Sequence, residues 1–461
     1  MFLGSSGMSG NGFNWNLQAI AEAAGAELIG QDHNVTGIST DTRHIDDGQV
    51  FVALVGERFD GHEFIAQACQ QGAVAVVVSK PVECDCARIV VEDTRIALGL
   101  IAQAWRKQFA IPVIAVTGSN GKTTVKEMLN AIMSVRHHTL STQGNLNNDI
   151  GVPLTLLRLR TQHNCAVIEM GANHAKEIEY LTRLAMPSVA LVNNAGAAHL
   201  EGFGSLQDVA QAKGEIYSGL RDDGTAVINA DDRFASLWQD LCVNKKVLRF
   251  ALDSEAEVTA SWQANDSGSQ IELYTPQGTI QIMLSLPGRH NVMNALAAST
   301  AALAAGATLE EIRTGLQSMH SVAGRLQIKA GKAGSRIIDD TYNANPASLQ
   351  VALDVLRAFD GRHYLALGDM GELGEDAEQL HREAGQAARN SGIDRLYTVG
   401  KFARFAASSF GYDAQSYDDQ PSMISALSDD LNMDVTLLIK GSRLAHMENV
   451  VQALTINGET G

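Results

Sequence analysis

Two spacings of apolar residues alternate along the chain: short, nearly continuous apolar runs bounded by glycine or polar turns, and longer stretches with apolar positions every three or four residues. The first spacing predicts strands and the second helices. Near the start it predicts a helix over 17–24, strands over 35–39 and 49–55, a helix over 64–71 and strands over 74–78 and 89–91. A helical stretch over 94–109 then leads to a second series, with strands at 113–116, 165–169, 189–193, 226–229 and 247–250 separated by helices. Apolar strands with helices between them predict a parallel sheet covered on both faces, with ligands at the carboxyl ends of its strands. The interval 257–286 alternates differently and reads as an inserted β-ribbon before an Ala-rich helix over 294–305. From Leu326 the strand–helix alternation restarts, with strands at 336–339, 363–367, 395–399 and 435–439. No internal repeat is visible.

One stretch adds chemistry to this pattern. Between the run ending at Val116 and a helical pattern over 125–134 stand Thr117-Gly118-Ser119-Asn120-Gly121-Lys122-Thr123-Thr124. A strand, a glycine turn, then Lys and Thr opening a helix is the layout of a phosphate-binding loop. Its backbone amides cradle an oligophosphate, its lysine reaches the outer phosphates and its first hydroxyl holds Mg²⁺. Val116 stands where the general pattern has glycine, so the loop is a variant form. The predicted fold class is therefore α/β with three domains. These are a small N-terminal α/β domain over 13–93, a central P-loop parallel-sheet ATPase domain over 94–323 and a C-terminal Rossmann-like doubly wound domain over 324–461.

The chain has 461 residues and a net charge of −17 with no basic block, which argues against a nucleic-acid surface. An anionic substrate would then have to be held by local cations. No apolar run is long enough to span a bilayer and no Lys or Arg precedes Arg43, so a cytoplasmic protein without membrane insertion is expected. The five cysteines, Cys69, Cys84, Cys86, Cys165 and Cys242, are scattered. They read as ordinary reduced thiols, and the Cys84/Cys86 pair has no second pair nearby to complete a zinc site.

Several polar residues stand at strand ends or helix starts in this pattern. Glu169 closes an apolar strand and either faces a metal at Thr123 or caps the next segment. His199 follows the strand at 189–193 and is either a ligand or a surface residue. Lys213 lies in a helix whose start, Ser205 and Asp208, has capping spacing. In Gly288-Arg289-His290-Asn291-Val292-Met293-Asn294, Asn291 and Asn294 share a helix face; one amide could read an adenine edge while the other braces the turn, or both could serve as caps. Finally, Asp339-Asp340-Thr341-Tyr342-Asn343-Ala344-Asn345-Pro346 is more polar than a plain turn requires.

Together the phosphate loop, Glu169-Met170-Gly171, the His199 segment, Gly288 to Ala295 and Asp339 to Pro346 resemble the ATP-dependent Mur ligases of peptidoglycan synthesis. The resemblance runs over nearly the whole chain from Leu17. Asp339 to Pro346, Leu367 to Gly374 and Phe51 to His62 are similar, more narrowly, to the ligases that join D-alanyl-D-alanine to UDP-N-acetylmuramoyl-tripeptide. The resemblance implies ATP and Mg²⁺ as cofactors and those two substrates as partners; a monomer is expected. It implies that Gly118, Ser119, Asn120, Gly121, Lys122, Thr123 and Thr124 hold the phosphates, and that Thr123 and Glu169 hold one Mg²⁺ and His199 a second. Lys213 falls where these ligases carry a carbamylated lysine, and Lys122, Lys213 and His199 are the implied catalytic residues. Asn291 and Asn294 would line the nucleotide, with Arg325 and Asp340 reaching it from the last domain across a hinge at 324–326. Ser39, Thr40, Asp41, Thr42 and Arg43 match the UDP-binding turn. Asn147, Asn148, Tyr342, Asn343 and Asn345 match substrate-facing positions.

Two other readings compete. A sister ligase adding a different group shares the phosphate loop, although the Asp-Asn-Pro-Arg string of the diaminopimelate-adding branch is absent and folylpolyglutamate synthase would not need the N-terminal α/β unit. A nucleotide-driven switch would hydrolyse ATP without any need for a dipeptide.

Overall fold

The computed structural model describes residues 12–56, 59–196, 200–265 and 268–456. Three sheets divide them. The first has five strands in the order Leu28–Ile29, Ala87–Val90, Ala75–Val78, Gln49–Val52, Gly37–Ser39, parallel except for the first pair. The second has nine, in the order Gly278–Leu284, Gly268–Thr275, Val258–Asn265, Lys246–Ala251, Thr225–Asn229, Val189–Val192, Val113–Thr117, Cys165–Glu169, Thr139–Ser141. The third has six: Gln327–Ala330, Arg336–Asp340, Val435–Lys440, Arg362–Gly368, Arg395–Val399, Ala414–Tyr417, again parallel except for the first pair. The expected α/β architecture is present.

The central strands are buried along their whole length because helices cover both faces. Val113–Thr117 and Cys165–Glu169 have no exposed residue. One face packs under the helices Lys122–Ser134, Arg289–Ala304 and Leu309–Gln317 through Val125, Leu129, Leu296 and Leu316. The other face belongs to an apolar cluster that continues through Leu98 and Trp105 of the helix Thr94–Arg106 to Leu17, Val77 and Ile89 around the first sheet. Parallel register places the ends of Val113–Thr117, Cys165–Glu169 and Val189–Val192 at one edge, with Val116 opposite Glu169 and Thr117 opposite Val192.

The interval 257–286 forms the expected antiparallel ribbon before the Ala-rich helix, and it joins the central sheet, since Phe250 pairs with Val258 in parallel. One expectation needs correcting: the cysteines are not all reduced thiols. Cys69 is paired with Cys86 in a disulfide, while Cys84, Cys165 and Cys242 are free. Cys69 comes from the helix Ile65–Gln70, which sequence spacing did not bring near Cys86.

Trp105 joins the first sheet's surroundings to the central one. It is 1% exposed, its indole N–H donates to the Leu159 carbonyl at 3.1 Å, and its ring lies 4.3 Å from Phe13 and 5.3 Å from both Trp15 and Phe109. Trp105→Ala is expected to lower stability by about 3–5 kcal/mol through the cavity it leaves. Urea unfolding with an unchanged midpoint would show that the cluster does not carry the junction.

Candidate functional site

The residues at 118–121 leave the carboxyl edge of the central sheet and turn into the helix Lys122–Ser134. Gly121 makes this turn at φ +78°, a conformation in which a side chain is strained. An added Cβ there would stand 2.5 Å from Asn294 Oδ1 and 2.7 Å from Asn193 Nδ2.

The loop is held from outside by the end of the neighbouring strand. Asn193, fully buried, donates through Nδ2 to the Asn120 carbonyl and to Asn294 Oδ1, both at 3.0 Å. Asn194 Oδ1 accepts the Asn120 N–H at 2.9 Å and its Nδ2 donates to the Asn120 carbonyl at 3.0 Å. Ser119 Oγ donates to the Gly196 carbonyl at 3.0 Å and accepts the Gly196 N–H at 2.9 Å. Lys122 Nζ folds back onto the loop, donating to the carbonyls of Gly118 at 2.7 Å and Ser119 at 3.2 Å. Desolvation lowers its pKa, opposed by the Glu169 charge. An ammonium held only by neutral carbonyl oxygens in a desolvated place is a group that anionic oxygen would satisfy better.

A cavity of about 920 Å³ opens above this loop. Its wall includes Ser119, Asn120, Gly121, Lys122, Thr123, Thr124, Asn147, Asn148, Glu169, Asn291, Asn294, Arg325, Asp340, Tyr342, Asn343 and Asn345. Residues expected to act together from three regions of the chain thus share one space. Glu169 is 1% exposed; its Oε1 accepts from Asn147 Nδ2 at 2.8 Å, and its Oε2 is buried without a partner. An orphaned carboxylate oxygen on the wall that carries Thr123 is what a hard divalent cation would satisfy. The residues therefore fit Mg²⁺.

Lys213 is not on that wall. It is 1% exposed near the end of the helix Leu206–Gly214, its Nζ is buried without a hydrogen-bond partner and stands 5.5 Å from the Phe203 ring centre. Burial, reinforced by the Lys122 charge, brings its pKa down to about 7. An amine partly neutral at neutral pH is a nucleophile, the condition that carbamylation needs. Gly118 is likewise absent from the wall, and His199 lies outside the described residues.

Asn291 Nδ2 donates to the Pro287 carbonyl at 2.8 Å, and Asn294 Nδ2 donates to Asn291 Oδ1 at 3.4 Å while its own Oδ1 accepts from Asn193. Bracing of the turn is thus visible in their contacts. From the last sheet, Arg325 Nη2 donates to Thr123 Oγ1 at 2.8 Å, and its guanidinium lies 4.1 Å from the Tyr342 ring centre. Asn345 caps the helix Pro346–Leu356 and also donates through Nδ2 to Asn120 Oδ1 at 3.2 Å. Asp340 pairs with the buried Lys440, whose Nζ also donates to the Asn343 carbonyl at 2.9 Å.

The turn at 39–43 stands apart from this cavity. Ser39 ends a strand of the first sheet, Asp41 caps the short helix Thr42–His44, and Arg43 holds Asp41 through Nε and Nη2 at 2.9 and 2.7 Å. That pairing keeps the Asp41 carboxyl well below the usual carboxylate range. Thr42 Oγ1 donates to Gln67 Oε1 at 3.3 Å, while Thr40 lies between Ser39 and this cap.

Asn193, Asn194, Arg95, His290 and Lys440 were not singled out from sequence. Lys440 could have been, since it ends an apolar strand at the same kind of sheet edge as Glu169. Arg95, whose Nη1 donates to Asp149 Oδ2 at 3.0 Å on the cavity wall, gives no local signal. Burial lowers the His290 pKa to about 4, so the imidazole stays neutral beside the cavity.

The fold is that of a three-domain α/β protein in which a phosphate loop at the edge of one parallel sheet faces a second doubly wound sheet. The sequence pattern described as the Mur ligase middle domain matches residues 116–302. The glutamate ligase domain of Mur ligases matches 324–443, and the catalytic domain of the Mur ligase family matches 34–137. The UDP-N-acetylmuramoyl-tripeptide–D-alanyl-D-alanine ligase of Escherichia coli strain K12 is 45% identical, over 96% of this chain and 98% of that protein. A crystal structure of MurF from Acinetobacter baumannii superposes with TM-score 0.91 at 38% identity, covering 96% and 99% of the two chains. MurF ligase from Thermotoga maritima in complex with ADP gives 0.81 at 28% identity, covering 90% and 96%. The chain belongs to the Mur ligase family.

Gly121→Ala is expected to weaken ADP binding by about 5- to 150-fold, the equivalent of about 1–3 kcal/mol of backbone strain. Calorimetric titration of the folded variant checks this, and affinity within twofold of the parent would detach the loop's shape from nucleotide binding.

Proposed function

We infer that the protein is an ATP-dependent ligase that joins D-alanyl-D-alanine to UDP-N-acetylmuramoyl-tripeptide, giving UDP-N-acetylmuramoyl-pentapeptide, ADP and phosphate. Support comes from the near full-length match to ligases of that name. The structural observation that carries the reading is the single cavity shared by the phosphate loop, Glu169 and the turn 340–345 of the last sheet. A cavity lined from two sheets suits a reaction that must align a nucleotide with a second, large substrate.

A carboxylate is a poor acyl donor. The tripeptide's terminal carboxylate first attacks the γ-phosphorus of ATP; a carboxylate O–P bond forms and the bond to ADP breaks, giving an acyl phosphate. The free amine of D-alanyl-D-alanine then attacks that carbonyl, the tetrahedral intermediate expels phosphate, and the nitrogen gives up its proton. Both steps concentrate negative charge on oxygen. Lys122, released from the Gly118 and Ser119 carbonyls, would neutralise the outer phosphates together with the amides of 118–124. Thr123 and Glu169 would hold Mg²⁺, with His199 and a carbamylated Lys213 as ligands of a second ion. When bound, Mg²⁺ supplies Lewis-acid stabilisation of the phosphate oxygens. Asn291 and Asn294 would flank the base, while Arg325 and Asp340 would approach phosphate and ribose. Asn147, Asn148, Tyr342, Asn343 and Asn345 would face the substrates, and Ser39 to Arg43 the UDP group. Gly324 to Leu326, with Gly324 at φ +70° and Leu326 at +53°, is our candidate for the hinge between residues 94–323 and the last domain.

Phosphate release in the presence of UDP-N-acetylmuramoyl-tripeptide should depend on added D-alanyl-D-alanine. Release that ignores the dipeptide would favour a nucleotide switch. Lys122→Ala should reduce ligation by about 10²-fold or more with the fold intact; near-parental turnover would remove Lys122 from the mechanism.

Lys213→Ala is expected to lose ligation and to recover part of it with added short carboxylic acids, which can take the place of a carbamate. Below pH 7, where Lys213 is protonated, formation of the carbamate in the parent should fall away. Absence of rescue at any acid concentration would leave Lys213 with no carboxylate role.

A further inference from the structure

On the far side of the first sheet from the junction with the central sheet, the fold gathers three cysteine sulfurs that the ligase reaction does not use. Cys69 belongs to the helix Ile65–Gln70, and Cys84 and Cys86 lie in or beside the connection between Ala75–Val78 and Ala87–Val90. All three sulfurs lie within 4.8 Å of one another. The Cys84 and Cys86 sulfurs are 3.7 Å apart, and Cys69 pairs with Cys86. The side chains are half-buried against the apolar group formed by Phe51, Ile65, Val76 and Val78, with the opposite side open to solvent.

A disulfide between Cys69 and Cys86 gives no reason for a third sulfur to converge on the same point. A metal does. Four thiolates around zinc at about 2.3 Å stand about 3.8 Å from each other, the edge of a tetrahedron, and the Cys84–Cys86 spacing already matches it. Glu83 and Asp85, both exposed beside these cysteines, add negative potential that favours a cation. We propose that the reduced Cys69, Cys84 and Cys86 cluster is a trithiolate site for a zinc-class ion, with its fourth position open to water or a small ligand.

Binding deprotonates the three thiols and transfers no electrons. The disulfide is the form that excludes the ion. Hydrogen peroxide would take two electrons from the Cys69 and Cys86 thiolates, forming the S–S bond. It is reduced to two waters with uptake of two protons, and the ion leaves as the Cys84 thiolate takes up a third proton to become a free thiol. The ion's reach extends beyond its ligands. Gln67, on the same helix as Cys69, accepts the Thr42 hydroxyl at 3.3 Å, so an ion that fixes this helix also steadies the turn at 39–43.

The full-length protein, reduced with a phosphine and freed of metal, is titrated with Cd²⁺ and separately with Zn²⁺. One equivalent of Cd²⁺ should produce a thiolate-to-metal charge-transfer band in the ultraviolet, Zn²⁺ should suppress it in competition, and hydrogen peroxide should abolish it. Cys84→Ser, which leaves the Cys69–Cys86 pair intact, should weaken Cd²⁺ binding by at least about tenfold. Cys165→Ser and Cys242→Ser, at buried sites elsewhere, should leave it unchanged. Absence of the band, its persistence in Cys84→Ser at parental affinity, or its loss in Cys165→Ser or Cys242→Ser would overturn the site. None of these readouts involves ligase activity, so they stand or fall separately from the proposed reaction.

Discussion

The site depends on the grip that one strand end keeps on the backbone of its neighbour. Asn120 has its N–H and its carbonyl both taken by the side chain of Asn194, and the same carbonyl receives Asn193. A loop that must present amides to an anion cannot satisfy its own backbone with internal turns, because those amides would then be occupied. Holding it from the side, through residues that end the adjacent parallel strand, fixes its shape while occupying the Ser119 and Asn120 N–H groups. The parallel register is what brings Asn193 there: Thr117 and Val192 are opposite one another, so the residues that follow each emerge together.

The same grip explains the state of Lys122. Curled onto the carbonyls of Gly118 and Ser119, it is held by neutral acceptors in a poorly solvated place. Phosphate oxygens carry full charge, and a charge-assisted hydrogen bond outweighs a neutral one. The lysine therefore has a stabilised resting position and a stronger alternative, and the energy difference between them is available to anion binding. Glu169 is in the converse position, one oxygen satisfied by Asn147 and the other bare, so its remaining attraction points into the cavity.

Much of this was readable from the chain because it is local. The phosphate loop, Glu169 at a strand end and the polar turn at 339–346 each declare themselves within a few residues, through rules of strand, turn and helix that need no partner. What escaped is what connects segments. Arg325 meets Thr123 across 202 positions and Asn345 meets Asn120 across 225, and no periodicity encodes such pairings. The pairing of Lys440 with Asp340 was hidden differently, since it depends on which strand slots between Arg336–Asp340 and Arg362–Gly368. The ribbon at 257–286 was legible from its alternation, which reports one covered face but not which sheet the strands join. Cys69 was overlooked for the same reason as Arg325: its neighbours come from another part of the chain.

The contact between Arg325 and Thr123 ties the position of the last sheet to the charge in the central site. In this arrangement the Thr123 hydroxyl oxygen accepts from a guanidinium that also stacks on Tyr342. A divalent ion using the same oxygen would lie within a few ångströms of that fixed positive charge, and at such separations like charges repel by several kcal/mol in a partly buried site. Two outcomes relieve this: the guanidinium moves away, carrying the segment at 324–326 with it, or enough negative charge enters for both cations to be held. Glu169 supplies part of that negative charge and a triphosphate would supply the rest, whereas a bare metal ion brings none of its own. Nucleotide with its metal would thus be accepted together, with the last sheet close by, whereas the metal alone would be opposed by the contact that brings the domains into register.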